Sequence, residues 1–329
     1  MKRGPTEFEL IDRLKGKATA SGALITGIGD DAAVTRPVGE TATSVDAVVE
    51  GVHFDRTTSG PELIAHKALA TALSDLAAMA ADPGEVYLTV GLSPGLPEGF
   101  AEDLADAFVE RAAFWGVSLA GGDTVTSPAL FVSVTAVGYA PPGERLLLRS
   151  GATPGDLVAV TGFLGGAGAG LLLLQGVATG SGLQQGERDR VTTRQLAPEP
   201  LLDTGRALRG SGVTSLIDLS DGLGADLGHV AAASKVAIAI EAERIPVDPA
   251  VAAVGRAAGI EALDLALGAG EDYELAMTVP PGRIEAVTDL VQAAGSRLSV
   301  VGSVSSGSGL KLLSDGAVIP VPRGFEHLG

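Results

Sequence analysis

The 329-residue chain contains no cysteine, which excludes disulfides, thiolate-held zinc and a cysteine nucleophile together. Positive charge is scarce: 23 Lys and Arg stand against 40 Asp and Glu, a formal net charge of -17. Nucleic acid and anionic membrane both call for basic patches, so neither is expected as a partner, and an anionic substrate is expected to arrive with its metal. Aromatic residues make up only 4%. Phe54, Trp115 and Phe325 are the few rings that could wall a heterocyclic ligand, and Trp115 reads better as core. No uninterrupted apolar stretch approaches the roughly 20 residues of a membrane span. The basic residues near Met1 are not followed by the apolar segment of a signal peptide, so a soluble cytoplasmic protein is expected.

Several motifs are missing as well. There is no G-x-x-x-x-G-K-[ST] loop, no G-x-G-x-x-G fingerprint, no G-x-S-x-G elbow and no calcium-loop pattern. The histidines, His53, His66, His229 and His327, lack metal-ligand spacing and read as structural or surface residues. His53 is the one to watch, because it follows Asp46 by seven residues on the same strand-loop unit.

Hydrophobic residues reach 46% and charged ones only 19%, the balance of a well-packed chain long enough for two domains. Phe8, Ile11 and Leu14 predict a short N-terminal helix, and residues 61–81 and 97–114 predict longer ones. Strands are expected over 23–26, 43–49, 86–92, 117–120 and 130–138. Pro, Gly and polar residues at 140–143 and 150–156 mark a domain boundary, giving domains 1–143 and 144–329. Beyond it, strands are expected near 157–161, 215–219, 236–240, 273–279, 298–304 and 310–313. Helices are expected through 174, from 223 to 233, and near 249–258 and 282–294. Residues 165–170 read as a turn, and 177–198 as an exposed loop with at most one helical turn. The pattern favours an α+β protein of two domains, each a mixed sheet covered by helices.

Acidic residues fall on glycine-punctuated turns between apolar runs: Gly29-Asp30-Asp31, Val45-Asp46, Gly122-Asp123, Asp218-Leu219-Ser220-Asp221 and Glu271-Asp272. Asp75 joins them from an alanine-rich helix. Any one Asp-Gly turn has a local explanation, since Asp bonds its own backbone and Gly supplies positive φ. Together they point to hard divalent cations, most simply Mg2+, because carboxylates about 4 Å apart repel by several kcal/mol in a partly buried site. Gly121, Gly122, Gly222 and Gly224 either serve their turns or expose N–H groups to phosphate oxygens. Arg149 suits a phosphate or a domain hinge equally.

In order, Gly-Ile-Gly-Asp-Asp-Ala-Ala (27–33), Ser-Val-Asp (44–46), Gly-Val-His-Phe (51–54) and the Lys67–Met79 stretch resemble thiamine-monophosphate kinases. Gly-Gly-Asp-Thr (121–124), Asp-Leu-Ser-Asp-Gly-Leu (218–223) and Gly-Glu-Asp-Tyr-Glu-Leu (270–275) extend the resemblance through nearly the whole chain. Ala269 departs from it, where a second glycine is usual before Gly270, and the aromatic at Phe325 is of variable type. The resemblance implies the fold of aminoimidazole ribonucleotide synthetase, which binds ATP without a phosphate-binding lysine loop. It implies phosphorylation of thiamine monophosphate to thiamine diphosphate by ATP with several Mg2+ ions. By position, Asp30, Ser44, Val45, Asp46, Asp75, Asp123, Asp218 and Asp221 are the implied metal ligands, Val45 through its main-chain oxygen. Gly122, Asp123, Arg149 and Ser220 are implied at ATP, and His53, Glu271 and Phe325 at thiamine phosphate. The first domain is then the metal- and ATP-binding and dimerisation domain of a homodimer, and the second completes the nucleotide and substrate site.

A phosphate monoester is already an anionic nucleophile near neutral pH, so no side chain is expected to act as general base, and direct in-line transfer is expected. The alternatives are aminoimidazole ribonucleotide synthetase itself, a Mg2+-dependent phosphatase using the same acids on water, or a non-catalytic cation-binding protein.

Overall fold

A computed structural model describes residues 7–17, 22–28, 32–180 and 182–324. The chain divides into two compact units, one running to Leu76 and from Ala81 to Glu144, the other from Arg145 onward together with residues 77–80.

The first unit contains α1 (Glu7–Lys17), β1 (Leu24–Thr26), β2 (Val34–Thr35), β3 (Thr41–Val49), α2 (Pro61–Ala78, all but its last two residues), β4 (Asp82–Leu92), α3 (Phe100–Phe114), β5 (Ser118–Thr126) and β6 (Phe131–Tyr139). Four of its strands form a sheet ordered β3-β6-β4-β5, in which β4 and β5 are parallel and the other pairs antiparallel. Buried and partly exposed residues alternate along β6, and Val132, Val134 and Ala136 are fully buried. That alternation belongs to a sheet with one face covered and one open. Helix α2 starts with Pro61 at its first position and is buried along most of its length, and Ile64, Leu69, Leu73 and Leu76 are at most 1% exposed. A helix buried on nearly every side is enclosed, and this one is a central piece of the core.

The second unit contains β7 (Leu157–Thr161), α4 (Gly166–Leu174), α5 (Gln185–Leu196), α6 (Leu202–Leu208), β8 (Ser215–Asp218), α7 (Leu223–Ser234), β9 (Ala237–Glu241), α8 (Pro249–Ala258), α9 (Ala262–Gly268), β10 (Leu275–Val279), α10 (Ile284–Ala293), β11 (Leu298–Ser305), β12 (Gly309–Ser314) and β13 (Ala317–Ile319). Its seven-stranded sheet runs β13-β12-β9-β11-β7-β10-β8, mixed because only β9 and β12 pair in parallel. Val158, Val160, Ile217, Ile238 and Ile240 of the sheet pack with Leu223, Leu227 and Val230 of α7. A second cluster joins α4, α5, α8 and α9 through Ala169, Val191, Val251, Val254 and Leu265.

Three local expectations are corrected. Gly121-Gly122-Asp123 is not a turn, because β5 continues through it to Thr126. The glycine-rich 165–170 segment is largely helical: α4 starts at Gly166, and a Cβ on Gly170 would lie 2.1 Å from the Val191 carbonyl oxygen. Gly166 and Gly170 let α5 approach α4 closely. Residues 177–198 hold a twelve-residue helix, α5, started by a capping box between Gln184 and Glu187. It is too polar to show amphipathic periodicity, since its buried residues are only Val191 and Gln195.

Candidate active site

In the first unit, Ser44 and Asp46 sit two residues apart on β3, so they share a face, and Asp75 reaches them from α2. The Ser44 hydroxyl donates to Asp75 Oδ2. Burial pushes the Asp46 carboxyl up to about 7, and the charge of Asp75 and a hydrogen bond to it add to the rise, while Ser44 opposes it. Two carboxylates and a hydroxyl held this close form an all-oxygen donor set that a hard cation would relieve. Val45 turns the other way, with 64% exposure.

Asp123 does not join this group. The ladder places Asp46 opposite Val134, Val134 opposite Leu88, and Leu88 beside Gly122. Three strand spacings therefore separate the two aspartates, roughly 14 Å. Gly122 and Asp123 instead line a cavity of about 540 Å3 whose apolar walls include Leu14, Leu104 and Phe108. Gly122 has a packing reason to be glycine, because a Cβ there would lie 2.2 Å from the Leu88 carbonyl oxygen.

His53 lies on the turn after β3. Its Nδ1 accepts the Val49 N–H at 3.1 Å, which puts the proton of the neutral ring on Nε2, and Lys67 Nζ donates to its carbonyl at 2.9 Å. Asp30 and Phe325 fall outside the described residues.

In the second unit, Asp218 ends β8 and is 4% exposed, and the chain then turns through Ser220, Asp221 and Gly222 into α7. Gly222 has φ 110°, and a Cβ there would lie 2.6 Å from the Leu267 carbonyl oxygen, so only glycine fits. Asp226, on the first turn of α7 and 2% exposed, accepts from the backbone N–H groups of Asp221 and Gly222. Burial raises its carboxyl to about 8, with further contributions from Asp218 and Asp221 that those two N–H bonds partly offset. The sequence reading missed Asp226, although its position five residues after Asp221 on an apolar helix was a usable signal. Arg149 is exposed in the loop before β7.

The 270–275 segment pairs with this turn: Glu271 N–H donates to the Ser220 carbonyl at 2.8 Å and Tyr273 N–H to the Leu219 carbonyl at 2.9 Å. Glu271 and Tyr273 take positive φ values of 56° and 49°. Non-glycine residues rarely do so, and two within three positions mark a locally strained loop. Asp272 holds that loop to the start of α4, accepting from Gly165 N–H at 2.6 Å and Ala167 N–H at 3.2 Å. Arg194 and Gln195 of α5 also bind this loop, and the sequence reading missed both because their segment was read as exposed.

Among the described residues, no three Asp, Glu or His side chains are gathered closely enough to enclose an ion. Each unit instead carries its own acidic cluster, which suits Mg2+, an ion usually held by one or two carboxylates together with water and substrate phosphates. No helix among the described residues is long and apolar enough to cross a membrane.

Comparison with known proteins gives the chain a family. Residues 29–140 match the model of the AIR synthase related protein N-terminal domain, and residues 153–315 that of its C-terminal domain. The chain is 37% identical over 327 residues to the thiamine-monophosphate kinase of Salmonella typhimurium, covering 98% of each protein. The crystal structure of thiamine-monophosphate kinase from Stenotrophomonas maltophilia superposes with a TM-score of 0.82 at 35% identity, covering 95% of this chain and 98% of that one. AaThiL complexed with AMPPCP and TMP gives 0.77 at 29% identity over 98% of this chain and 97% of that one. Two AIR synthase-type domains and relatives of 35–37% identity that match the chain nearly end to end establish that it belongs to the thiamine-monophosphate kinase family.

Proposed function

We propose that the protein transfers the γ-phosphate of ATP to thiamine monophosphate, forming thiamine diphosphate and ADP with the help of Mg2+. The observation that carries this reading is the pair of acidic clusters, in which Asp46 and Asp226 are each pushed towards neutrality by burial and a neighbouring carboxylate. A relative at 29% identity is complexed with AMPPCP and TMP, which supports the same pair of substrates here.

Ser44, Asp46 and Asp75 would hold Mg2+ in the first unit, and Asp218 and Asp221 in the second. Asp30, Asp123 and the Val45 carbonyl are further proposed ligands. When bound, the metal supplies charge neutralisation between two anionic substrates. The chain's own residues do the positioning. Gly122, Asp123, Arg149 and Ser220 are assigned to ATP. His53, Glu271 and Phe325 are assigned to thiamine phosphate, with His53 Nε2–H as a donor to its phosphate. No side chain need take a proton from the acceptor, because a phosphate monoester is ionised near neutral pH. Transfer is therefore direct and in line, with no phosphoenzyme.

We also infer that two copies pair through the first unit. Strand β3 is a sheet edge, and Thr41, Thr43, Val45 and Ala47 are exposed along it. Such an edge is a natural template for a second copy.

Incubation with ATP and Mg2+, with and without thiamine monophosphate, tests the activity. Thiamine diphosphate and ADP appearing only with the acceptor support it, whereas inorganic phosphate released without acceptor makes the protein a phosphatase. Rapid quenching that trapped phosphate on an aspartate would overturn direct transfer.

A further inference from the structure

Helix α5 grips the 270–275 loop at several points. Arg194 Nη2 donates to Glu274 Oε1 at 2.5 Å and to the Asp272 carbonyl at 3.4 Å. One residue on, Gln195 is 4% exposed, and its Nε2 donates to Glu271 Oε2 at 2.7 Å. The division of labour is chemical. Arg194 forms an ion pair with Glu274, whose side chain is 8% exposed. Gln195 binds Glu271 through a neutral amide.

We infer that Gln195 is a positioning residue that fixes the orientation of the Glu271 carboxylate for the thiamine end of the substrate. The inference rests on the proposed placement of Glu271 at thiamine phosphate. A glutamate side chain has three rotatable bonds, and an untethered one spreads over several rotamers that binding must then freeze. The backbone beneath Glu271 is already fixed by its φ of 56° and by its N–H bond to Ser220. The amide tie extends that order to the carboxylate. A Lys or Arg at this position would orient it equally well but would neutralise it. The thiazolium ring of thiamine carries a permanent positive charge, so a carboxylate held in one orientation is the group that would recognise it.

The test is steady-state kinetics on the full-length enzyme, varying thiamine monophosphate and ATP separately, with melting temperature as a fold control. Gln195→Met, close in shape and without the donor, is expected to raise KM for thiamine monophosphate about tenfold, the loss typical of one hydrogen bond to a charged group. Its kcat and its KM for ATP are expected to stay within about twofold, a split that a merely structural role would not produce. Glu271→Gln is expected to raise the same KM, and the double variant to be no worse than Glu271→Gln alone. A silent Gln195→Met beside an impaired Glu271→Gln would overturn the inference alone, as would effects that multiply in the double variant. A silent Glu271→Gln would remove the placement of Glu271 itself and the inference with it. Should Gln195→Met lose its melting transition, Gln195→Asn keeps an amide in the buried site but withdraws it by one methylene, and is read against the same thresholds.

Discussion

Asp226 accepts the backbone N–H of Asp221 at 3.2 Å, so the residue proposed to hold a cation is itself held by a second, buried aspartate. The same Oδ2 takes the Gly222 N–H at 3.1 Å. Asp226→Leu leaves two N–H groups without an acceptor and is expected to lower stability by about 1–3 kcal/mol. Asp226→Asn keeps an acceptor and discards a charge that Asp218 and Asp221 disfavour. In Mg2+-free buffer at pH 8 the stability order is therefore Asn at or above wild type, with Leu below both. Urea midpoints settle it, and an Asn variant as unstable as Leu would sink the capping role.

The raised carboxyls also set how the metal-free protein responds to pH. Asp46 is held up to about 7 and Asp226 up to about 8, mainly by burial, whereas the unfolded chain releases these protons near the ordinary value of about 4. Between those limits the folded state binds more protons than the unfolded one, so stability falls as pH rises from about 4 to 8. Asp272, raised to about 6 by burial, acts in the same direction. Melting temperatures in EDTA should decline over this window. With Mg2+, whose binding needs the deprotonated carboxylates, the metal-induced rise in melting temperature should grow with pH. A metal-free protein that became more stable towards pH 8 would contradict this account of the clusters.

Much of this was legible in the chain, and the failures share one physical cause. The strands and the largely apolar α2 and α7 follow from the pattern of apolar residues, because α7 and the strands bury a face against a core and α2 is enclosed by it. Where burial is polar or glycine-mediated, periodicity carries no signal. Helix α5 hides Gln195 where an apolar residue would have announced a helix, and α4 uses its glycines to admit a neighbour. In the Ser44, Asp46 and Asp75 group, the first two are linked by strand alternation, but only the fold brings Asp75 from α2 to β3. The Gly-Gly-Asp segment misled differently: glycine there serves the contact between two strands and not a turn.

Gly122 separates packing from ligand binding. Its missing Cβ accommodates the Leu88 carbonyl 2.2 Å away, so Gly122→Ala must push β5 from β4. Overpacking of that kind costs about 1–3 kcal/mol with no ATP present. Thermal melts of the free protein should show the loss. A variant of unchanged stability that has lost only ATP affinity would assign the glycine to phosphate instead.

Val45, 64% exposed on the edge strand β3, tests the proposed pairing of two copies. A lysine on a sheet edge opposes strand addition, so Val45→Lys should shift a dimer towards monomer in analytical ultracentrifugation. A wild-type chain sedimenting as a monomer at micromolar concentration would end the proposal.

Asp75 offers the sharpest test of the metal reading because its replacement can spare the fold. Asp75→Asn keeps the size of the side chain, and its amide oxygen can still accept the Ser44 hydroxyl that bonds Asp75 Oδ2. It also removes the negative charge that, after burial, does most to raise Asp46. The metal-free variant should therefore melt at or above wild type while binding Mg2+ more weakly. If charge neutralisation carries the reaction, turnover should fall by about a hundredfold or more, as when a preorganised electrostatic partner of a transition state is removed. Ser44→Ala takes away only a hydroxyl, and its loss should be clearly smaller. Coupled ADP-release assays over a Mg2+ titration measure both. Full turnover in Asp75→Asn at ordinary Mg2+ would return Asp75 to a purely structural role and leave the first-unit cluster without a metal.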